Sequence, residues 1–210
     1  MEILKSLDRN RAIVLDDDFD FMSLIKDQKV DLVFTRKNKN EEIVKACGDA
    51  GVKVKQFSSG WNVGIVTKDA NVKEAAEILI HNKFYKSGQH LNNVDVIYVD
   101  KSIYNLFLIE CKNALYKFYT SLGQKNLNYG TMLNKRDFND VLELLNDPNL
   151  ENDQYLTNVV HNVENLRINP VLILNPKENA NIMTNKIFGP ILPIVTFEDP
   201  LEIKDKINNK

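Results

Sequence analysis

Long hydrophobic runs are missing from this 210-residue sequence, and neither sign of charge is in large excess. No window approaches the roughly 18 unbroken apolar residues of a membrane-spanning helix, and the segment from Met1 to Arg11 lacks the apolar stretch of an export signal. Lysine and arginine number 27 and aspartate and glutamate 29, a net charge of -2. Because no basic field attracts nucleic acid or an anionic membrane, we expect no membrane, export or nucleic-acid role.

Cysteine is scarce as well, and no internal repeat or low-complexity block is present. The two cysteines, Cys47 and Cys111, lie in helical patterns far apart in the sequence, which argues against a disulfide framework and suits a reducing compartment. Both lie on apolar faces, where cysteine behaves as a small hydrophobic residue, so we expect them to be buried and unreactive. A cytoplasmic protein is the resulting prediction.

Hydrophobic residues are plentiful by contrast, at 43% of the chain, which is enough for a sizeable core in one large or two small domains. Short apolar runs alternate with amphipathic stretches of helical period. The predicted strands cover residues 12–15, 31–35, 52–57, 63–67, 94–99, 154–159, 170–174, 181–184 and 191–197. The predicted helices cover residues 19–28, 41–50, 71–85 and 135–146, with a long helix capped by Ser102 and a closing helix that starts at Pro200.

The order of these elements predicts an α/β fold. Between residues 12 and 57 the pattern is strand, helix, strand, helix, strand, and this spacing implies parallel strands joined by right-handed crossovers. Such a unit makes up half of a doubly wound dinucleotide-binding sheet.

One apolar segment near the C-terminus combines a turn with a strand. Gly189 and Pro190 mark the turn, and Ile191 to Phe197 read as a buried strand. By itself this pattern indicates nothing more than structure. Its context is more informative, because Met183, Asn185 and Lys186 precede Ile187 to Pro190, which spell Ile-Phe-Gly-Pro.

This segment resembles the Met-x-Glu-Glu-Ile-Phe-Gly-Pro motif of the aldehyde dehydrogenase superfamily, and the Ile-Leu-Pro-Ile that ends it resembles the class that oxidises fatty and aromatic aldehydes. Phe84 to Gln89 (Phe-Tyr-Lys-Ser-Gly-Gln) is similar to the Phe-x-Asn-Ala-Gly-Gln of the family. Weaker similarities follow in the same order along nearly the whole chain, at Asp31 to Thr35, Gly60 to Asn62, Lys117 to Tyr119, Asn128 to Gly130 and Asn134 to Phe138.

The resemblance implies a two-part organisation. Residues 1–57 correspond to a remnant of the dinucleotide-binding domain, and residues 58–210 correspond to the catalytic α/β half, truncated at its C-terminal end. Family members carry further segments on both sides that supply the first cofactor strands, an oxyanion-hole asparagine and an oligomerisation strand. We expect this chain to lack those contributions.

The catalytic positions implied by the resemblance do not carry catalytic residues. In the family, a cysteine two residues after Gly-Gln attacks the aldehyde, and here that position is Leu91, which has no lone pair to donate. The family's general base is the glutamate of Glu-Leu-Gly-Gly, and here that position is Phe57, which cannot accept a proton. We therefore predict that no catalytic residue of the family is retained.

The cofactor positions are altered too. After Thr35 the chain runs through residues 36–41 without the glycines that let backbone amides approach a phosphate in the family. The family's ribose-binding glutamate is Lys186 here, a donor-only cation, while the neighbouring Phe188 is kept. Lys186 and Phe188 are thus the remaining candidates for cofactor contact. We expect no bound cofactor, or NAD or NADP if the family function survives.

The remaining candidates for chemistry are isolated residues. His90 lies beside the nucleophile position, but local spacing places no serine, cysteine or acid near it, so we do not expect it to be catalytic. His81 and His161 lack metal-ligand spacing, and Asp16 to Asp18 are better explained as a turn that caps a helix than as a cation site. We therefore predict no metal site. The cations Arg36, Lys37 and Lys39 leave an anion site open.

Three functional hypotheses follow from these residues. The first is a non-catalytic binding or scaffolding module descended from an aldehyde dehydrogenase. The second is an NAD(P)-dependent aldehyde oxidoreductase that is active only with a completing partner chain, and the third is an anion-binding module that uses residues 36–39. Because a parallel sheet without its first strands has an unpaired edge, we expect self-association or a protein partner.

Overall fold

The computed structural model describes residues 20–27, 30–36, 41–57, 60–119 and 129–208. They belong to two compact units with a boundary between Ser58 and Ser59. The predicted strand at residues 12–15, the turn at Asp16 to Asp18 and the cations Lys37 and Lys39 lie outside the described residues, and so does the side chain of Arg36.

The first unit is a pair of parallel strands backed by two helices. Helix α1 (Phe21–Lys26) starts at Asp20, whose side chain accepts a hydrogen bond from the Ser23 amide at 3.2 Å. Strand β1 (Leu32–Arg36) pairs in parallel with β2 (Lys53–Phe57), and helix α2 (Glu41–Ala50) connects them. The predicted parallel pairing is confirmed. Its small core consists of Ile25, Val33, Cys47 and Val52.

The second unit is built on a four-stranded parallel sheet. Its strands are β3 (Val63–Val66), β4 (Val96–Asp100), β7 (Val171–Leu174) and β8 (Ile191–Phe197), and their spatial order is β3-β4-β8-β7. Strands β4, β7 and β8 are almost wholly buried, as expected of a parallel sheet covered on both faces. The α/β prediction is confirmed.

Helices cover the two faces of this sheet and form two separate cores. On one face lie α3 (Val72–Phe84), which starts at the Asn71 cap, and the 16-residue α4 (Tyr104–Tyr119). On the other lie α5 (Lys135–Leu145), the short α6 (Asn181–Thr184) and α7 (Pro200–Asn208). No helix among the described residues is both long enough and apolar enough to cross a membrane.

Some element predictions are wrong. Residues 154–159 form no strand: a 3-10 turn, Asn152–Gln154, precedes a single bridge between Tyr155 and Ile173. Residues 181–184 form α6 instead of a strand, because Asp147 accepts a hydrogen bond from the Asn181 amide and so caps the helical turn.

Two further details of the second unit differ from the sequence prediction. Ser102 does not cap α4, since Asp100 accepts the Ser102 amide at 2.9 Å and starts a 3-10 turn, Lys101–Ile103, that precedes the helix. The short antiparallel hairpin of β5 (His161–Asn162) and β6 (Arg167–Ile168) was not predicted, because two-residue strands carry no usable periodicity.

Candidate functional site

The turn that follows α3 touches the loop that leads into β8. Lys86, Ser87 and Gly88 have φ values of 51°, 55° and 71°, three successive residues in the left-handed region. A Cβ atom at Gly88 would collide with the carbonyl oxygen of Gly189. Glycine is therefore required at position 88 both by its backbone conformation and by the close approach of the two loops.

Side chains hold this strained turn against the segment before α5. Ser87 Oγ donates to the Gly130 carbonyl at 2.6 Å. Gln89 Nε2 donates to the Thr131 carbonyl at 2.9 Å, and its Oε1 accepts the Leu133 amide at 2.8 Å. Because left-handed conformations of residues other than glycine persist only where their surroundings enforce them, these bonds explain the turn. Gln89 therefore has a structural role: it holds the turn against the segment before α5.

Leu91, which the resemblance predicts to stand at the family's nucleophile position, lies on the surface just beyond the turn. Its side chain is 43% exposed, and its carbonyl accepts a hydrogen bond from Asn62 Nδ2 at 2.8 Å. Its neighbour His90 contacts the Asn82 carbonyl through Nε2 at 3.0 Å, and its ring packs edge-on against Tyr85.

In the described part of the chain, no group of three His, Cys, Asp or Glu side chains is arranged to hold a metal ion.

An open groove of about 530 Å³ lies beside His90. Its walls are mainly aromatic: the His81 ring stacks on Tyr85 with centroids 5.9 Å apart and meets Phe118 edge-on at 5.3 Å. The remaining lining residues are Glu77, Ile78 and Asn82. The Glu77 carboxylate pairs with Lys117 at 2.7 Å, which leaves the groove itself mostly apolar.

A buried ion pair joins the loops on the other side of the turn. Lys186 Nζ lies 2.8 Å from Asp95 Oδ2 and donates to the Gly60 carbonyl at 3.0 Å. Asp95 Oδ2 also accepts the Asn62 amide at 2.8 Å. The Asp95 side chain is fully buried and that of Lys186 is 11% exposed. Lys186 therefore fastens the loop before β8 to the segment before β3.

Lys83, the third charged residue of this region, is completely buried in the last turn of α3. Its Nζ has no hydrogen-bond partner among the described residues, and neither has Asp95 Oδ1 or Asn93 Oδ1. Burial lowers the pKa of Lys83 to about 7; nearby Asp95 opposes this effect and Lys186 adds to it. Lys83, Asn93, Asp95 and Lys186 are hereafter called the buried polar cluster.

The sequence does not predict the buried polar cluster as a whole, although two charged residues within apolar patterns indicate part of it. Lys83 interrupts the apolar face that Ile80 and Phe84 share, and Asp95 stands between Val94 and Val96 at the start of a strand. A charged residue within an apolar pattern is almost never fully buried unless it is paired. The sequence alone does not show that the partner of Asp95 is Lys186, because 90 residues separate them.

The candidate cofactor residues do not fit the family's arrangement. Both oxygen atoms that contact the Lys186 ammonium belong to this chain, so the ammonium is already engaged. Its Nζ also lies 5.7 Å from the centre of the Phe188 ring. A ribose hydroxyl that needs a carboxylate acceptor finds a cation in its place. The side chain of Phe57, at the base position, lies outside the part of the chain that the structure describes.

Of the lone histidines, His81 lines the groove, and the two cysteines are buried in the apolar cores. Cys47 and Cys111 are both fully buried, as predicted, and burial raises the pKa of each thiol. His161 lies far away in strand β5, where its ring meets Phe138 edge-on at 6.0 Å.

Comparison with known proteins gives a consistent result. The Aldehyde dehydrogenase family profile matches residues 21–210. Among curated proteins, the chain is 30% identical to 4,4'-diaponeurosporen-aldehyde dehydrogenase of Staphylococcus aureus over 77% of its own length and 35% of the relative's. It is 26% identical to coniferyl aldehyde dehydrogenase of a Pseudomonas species over 81% of its own length and 36% of the relative's.

A solved structure shows the same relationship in three dimensions. The substrate-bound state of Staphylococcus aureus AldH superposes with a TM-score of 0.79 at 27% identity, over 90% of this chain and 41% of that one. The chain thus spans little more than a third of the length of these curated relatives.

Proposed function

Because this chain belongs to the aldehyde dehydrogenase family, we propose that it is a non-catalytic member that acts by associating with another protein chain. The observation that carries the proposal is Leu91. It occupies the position at which the family's attacking cysteine is expected, on the surface and beside an aromatic groove. An aliphatic side chain supplies no electron pair to a carbonyl carbon.

In the part of the chain that the structure describes, no neighbouring group replaces the missing nucleophile. Ser87 Oγ donates to the Gly130 carbonyl, and burial raises the pKa of the neighbouring Tyr129 hydroxyl, which disfavours the phenolate that could act as a base. Cys47 and Cys111 are both buried, and burial disfavours their thiolate forms. His90 is bound to a backbone carbonyl through Nε2. These contacts support a site that has kept its backbone conformation but has lost its nucleophile.

Cofactor use is equally poorly supported by the residues. Members of this family generally use NAD or NADP, but Lys186 places an engaged ammonium where an acceptor carboxylate is needed. Phe57, at the position of the general base, is an aromatic hydrocarbon without a titratable group. We therefore propose that this chain binds neither NAD nor NADP at functional concentrations.

An apolar stripe on α4 supports a role in association. Leu106, Ile109 and Tyr116 are 51%, 56% and 74% exposed. At 100° per residue their directions fall within about 80° of one another, so they lie on one face of the helix. Exposed apolar residues that share one face of a helix support a surface that binds another protein.

A second apolar surface lies on the first unit. Leu32 and Phe34 point away from its core and are 42% and 63% exposed. Parallel sheets are normally covered on both faces. Lys53 and Lys55 stand opposite these two residues on β2, so a partner with apolar and acidic groups would match this face.

The proposed loss of function is tested by titration calorimetry of the purified 210-residue chain with NAD and with NADP. Melting curves of the same samples provide a second measurement. We expect neither heat of binding nor a shift in melting temperature. A coniferyl aldehyde oxidation assay completes the test, because one relative's name specifies that substrate. Micromolar cofactor binding with a matching rise in melting temperature, or formation of reduced cofactor, would refute the proposal.

Sedimentation velocity at several protein concentrations tests association. We expect a mass larger than that of one chain, reduced by Ile109→Glu on the α4 stripe. Leu201→Glu is the matched control, since Leu201 is 69% exposed on a different helix. A monomer at every concentration would exclude self-association and direct the search to a second protein.

A further inference from the structure

Two lysines of the buried polar cluster interact electrostatically with a single carboxylate, but only Lys186 contacts it. Asp95 Oδ2 receives both the Lys186 ammonium and the Asn62 amide, whereas its Oδ1 has no partner among the described residues. Lys83 Nζ, also without a partner there, acts electrostatically on both Asp95 and Lys186. Lys83 Nζ and Asp95 Oδ1 are thus an unsatisfied nitrogen and an unsatisfied oxygen in the same buried cluster.

The protonation state of Lys83 sets the charge balance of the cluster. With Lys83 neutral, Asp95 and Lys186 cancel each other's charge. With Lys83 protonated, the same desolvated region carries one uncompensated positive charge, which is costly away from water. A buried ammonium needs acceptors, and Asp95 Oδ1 and Asn93 Oδ1 are the buried acceptors left unused in the described cluster.

The two lysines differ in their access to solvent. Lys83 is fully buried in α3, whereas the Lys186 side chain is already 11% exposed. A long lysine side chain can carry its charged end into water while its methylene groups stay packed. When both are charged, Lys186 is therefore the one that leaves.

We propose that Lys83 and Lys186 compete for the Asp95 carboxylate, so that protonation of Lys83 releases Lys186 from Asp95 and from the Gly60 carbonyl. The released lysine no longer fastens the loop before β8 to the segment that precedes β3. We call this arrangement of Lys83, Asp95 and Lys186 the latch: it is closed when Lys186 is bound to Asp95 and open when protonation of Lys83 has released it. This property is separate from catalysis.

The latch operates close to neutral pH. Burial lowers the pKa of Lys83 from 10.5 to about 7. Among the described residues, the charged groups that act on Lys83 are Asp95, from the segment that enters β4, and Lys186, from the loop before β8. Above the Lys83 pKa the amine is neutral and the latch is closed, and below it Lys83 is charged and the latch is open.

The protein contains its own reporter for this change. Trp61 is the single tryptophan of the sequence and directly follows Gly60, whose carbonyl receives Lys186. We expect tryptophan fluorescence of the full chain to show a transition near neutral pH in the wild type and none in Lys83→Met. Lys73→Met, an exposed change in the same helix, is the control and keeps the transition.

Two further measurements keep the proposal testable whatever Lys83→Met does to folding. Lys186→Met removes the side chain that would be released, so we expect this variant to show no fluorescence transition. We also expect the pKa of Lys83 to be higher in this variant than in the wild type. Carbon NMR of the lysine ε-methylene groups in the wild type follows Lys83 directly. The proposal is overturned if the fluorescence transition survives in a folded Lys83→Met, or if every lysine of the wild type titrates near 10.5.

Discussion

At the scale of single residues, the cost of burying Lys83 makes a definite prediction about pH. The unfolded chain takes up a proton at this lysine below about pH 10.5, but the folded chain does so only below about 7. Between these values the unfolded state holds more protons, so stability increases as pH rises from about 7 to 10.5, and below about 7 the penalty is constant. We expect Lys83→Met to remove this dependence and to stabilise neutral protein by on the order of a few kcal/mol.

Urea denaturation at a series of pH values measures the effect. The free energies of unfolding of wild type and Lys83→Met should converge as pH rises toward 10.5 and diverge toward neutrality. Lys73→Met, exposed on the same helix, should follow the wild type. Parallel curves for wild type and Lys83→Met at all pH values would show that Lys83 is charged in the folded state.

Leu91 permits a direct test of how accessible the family's nucleophile position remains. Because this side chain is 43% exposed, we expect Leu91→Cys to react with a thiol reagent at close to the rate of a free thiol. In the folded wild type, the two fully buried cysteines should react only slowly. We expect that aldehyde oxidation does not return, because Lys186 and Phe57 stand at the positions that the family resemblance assigns to cofactor binding and to the base.

The control for this experiment is the folded wild type, in which any fast-reacting thiol would show that a native cysteine is accessible. A slow thiol at position 91 would mean that a part of the chain covers this surface. Turnover of an aldehyde by Leu91→Cys would instead show that a base and a cofactor site survive elsewhere.

At the scale of elements, the contact between the α3 turn and the β8 loop depends on Gly88. An alanine there would combine a left-handed φ of 71° with a collision against the Gly189 carbonyl. We expect Gly88→Ala to destabilise the protein by about 2 kcal/mol or more, measured by urea denaturation. Gly130→Ala is the matched control: an added Cβ meets nothing within 4 Å. Equal stability of the two variants would mean that the loops separate easily.

The start of α6 depends on the buried carboxylate of Asp147. Burial raises the pKa of this group, but hydrogen bonds from the Asn149 and Asn181 amides outweigh burial and bring the pKa below its ordinary value of 3.8. A lowered carboxyl pKa stabilises the fold above that ordinary value, and this stabilisation is lost as pH falls through the lowered pKa.

We expect Asp147→Asn to cost about 1–3 kcal/mol at neutral pH, because an amide cannot accept both backbone N–H groups. Thermal unfolding across acidic pH measures this, and the difference from wild type should shrink once Asp147 is protonated. Asp140→Asn, an exposed change on α5, should have little effect. A difference that persists unchanged at low pH would assign the cost to packing.

Elements with strong local patterns were predictable, and elements fixed by distant contacts were not. Strand β8 and helix α3 follow from continuous apolar runs and helical periodicity within their own sequences. Residues 181–184 read as a strand, yet they form α6 because Asp147, more than 30 residues earlier, caps them.

The candidate site shows the same division. The sequence motif correctly singles out Gly88 and Gly189, since each lies in a short segment with a recognisable order of residues. The pairing of Asp95 with Lys186 was not predictable, because a buried charge reveals that a partner exists without revealing where it lies in the sequence. The roles predicted for Phe188 and Lys186 toward a cofactor remain predictions.

At the scale of the whole molecule, the two units differ in their capacity to fold alone. The second unit has two apolar cores, one on each face of its sheet, whereas the described part of the first unit has a buried core of four residues. We expect a fragment of residues 59–210 to unfold cooperatively and a fragment of residues 1–58 not to fold, since units of that size are marginal. Circular dichroism during thermal unfolding provides the measurement. A non-cooperative 59–210 fragment would show that its cores require the first unit.

The order of strands in the second sheet has a consequence for synthesis on the ribosome. Strand β8 lies between β4 and β7 in the sheet but comes after both of them in the chain. At about 5–20 residues per second, β4 leaves the ribosome roughly five to twenty seconds before the strand that joins it to β7. Strand β4 lacks its neighbour throughout that interval, and β7 joins it in this state shortly before β8 emerges. We therefore expect chaperones to have their best opportunity to bind this protein just before β8 appears.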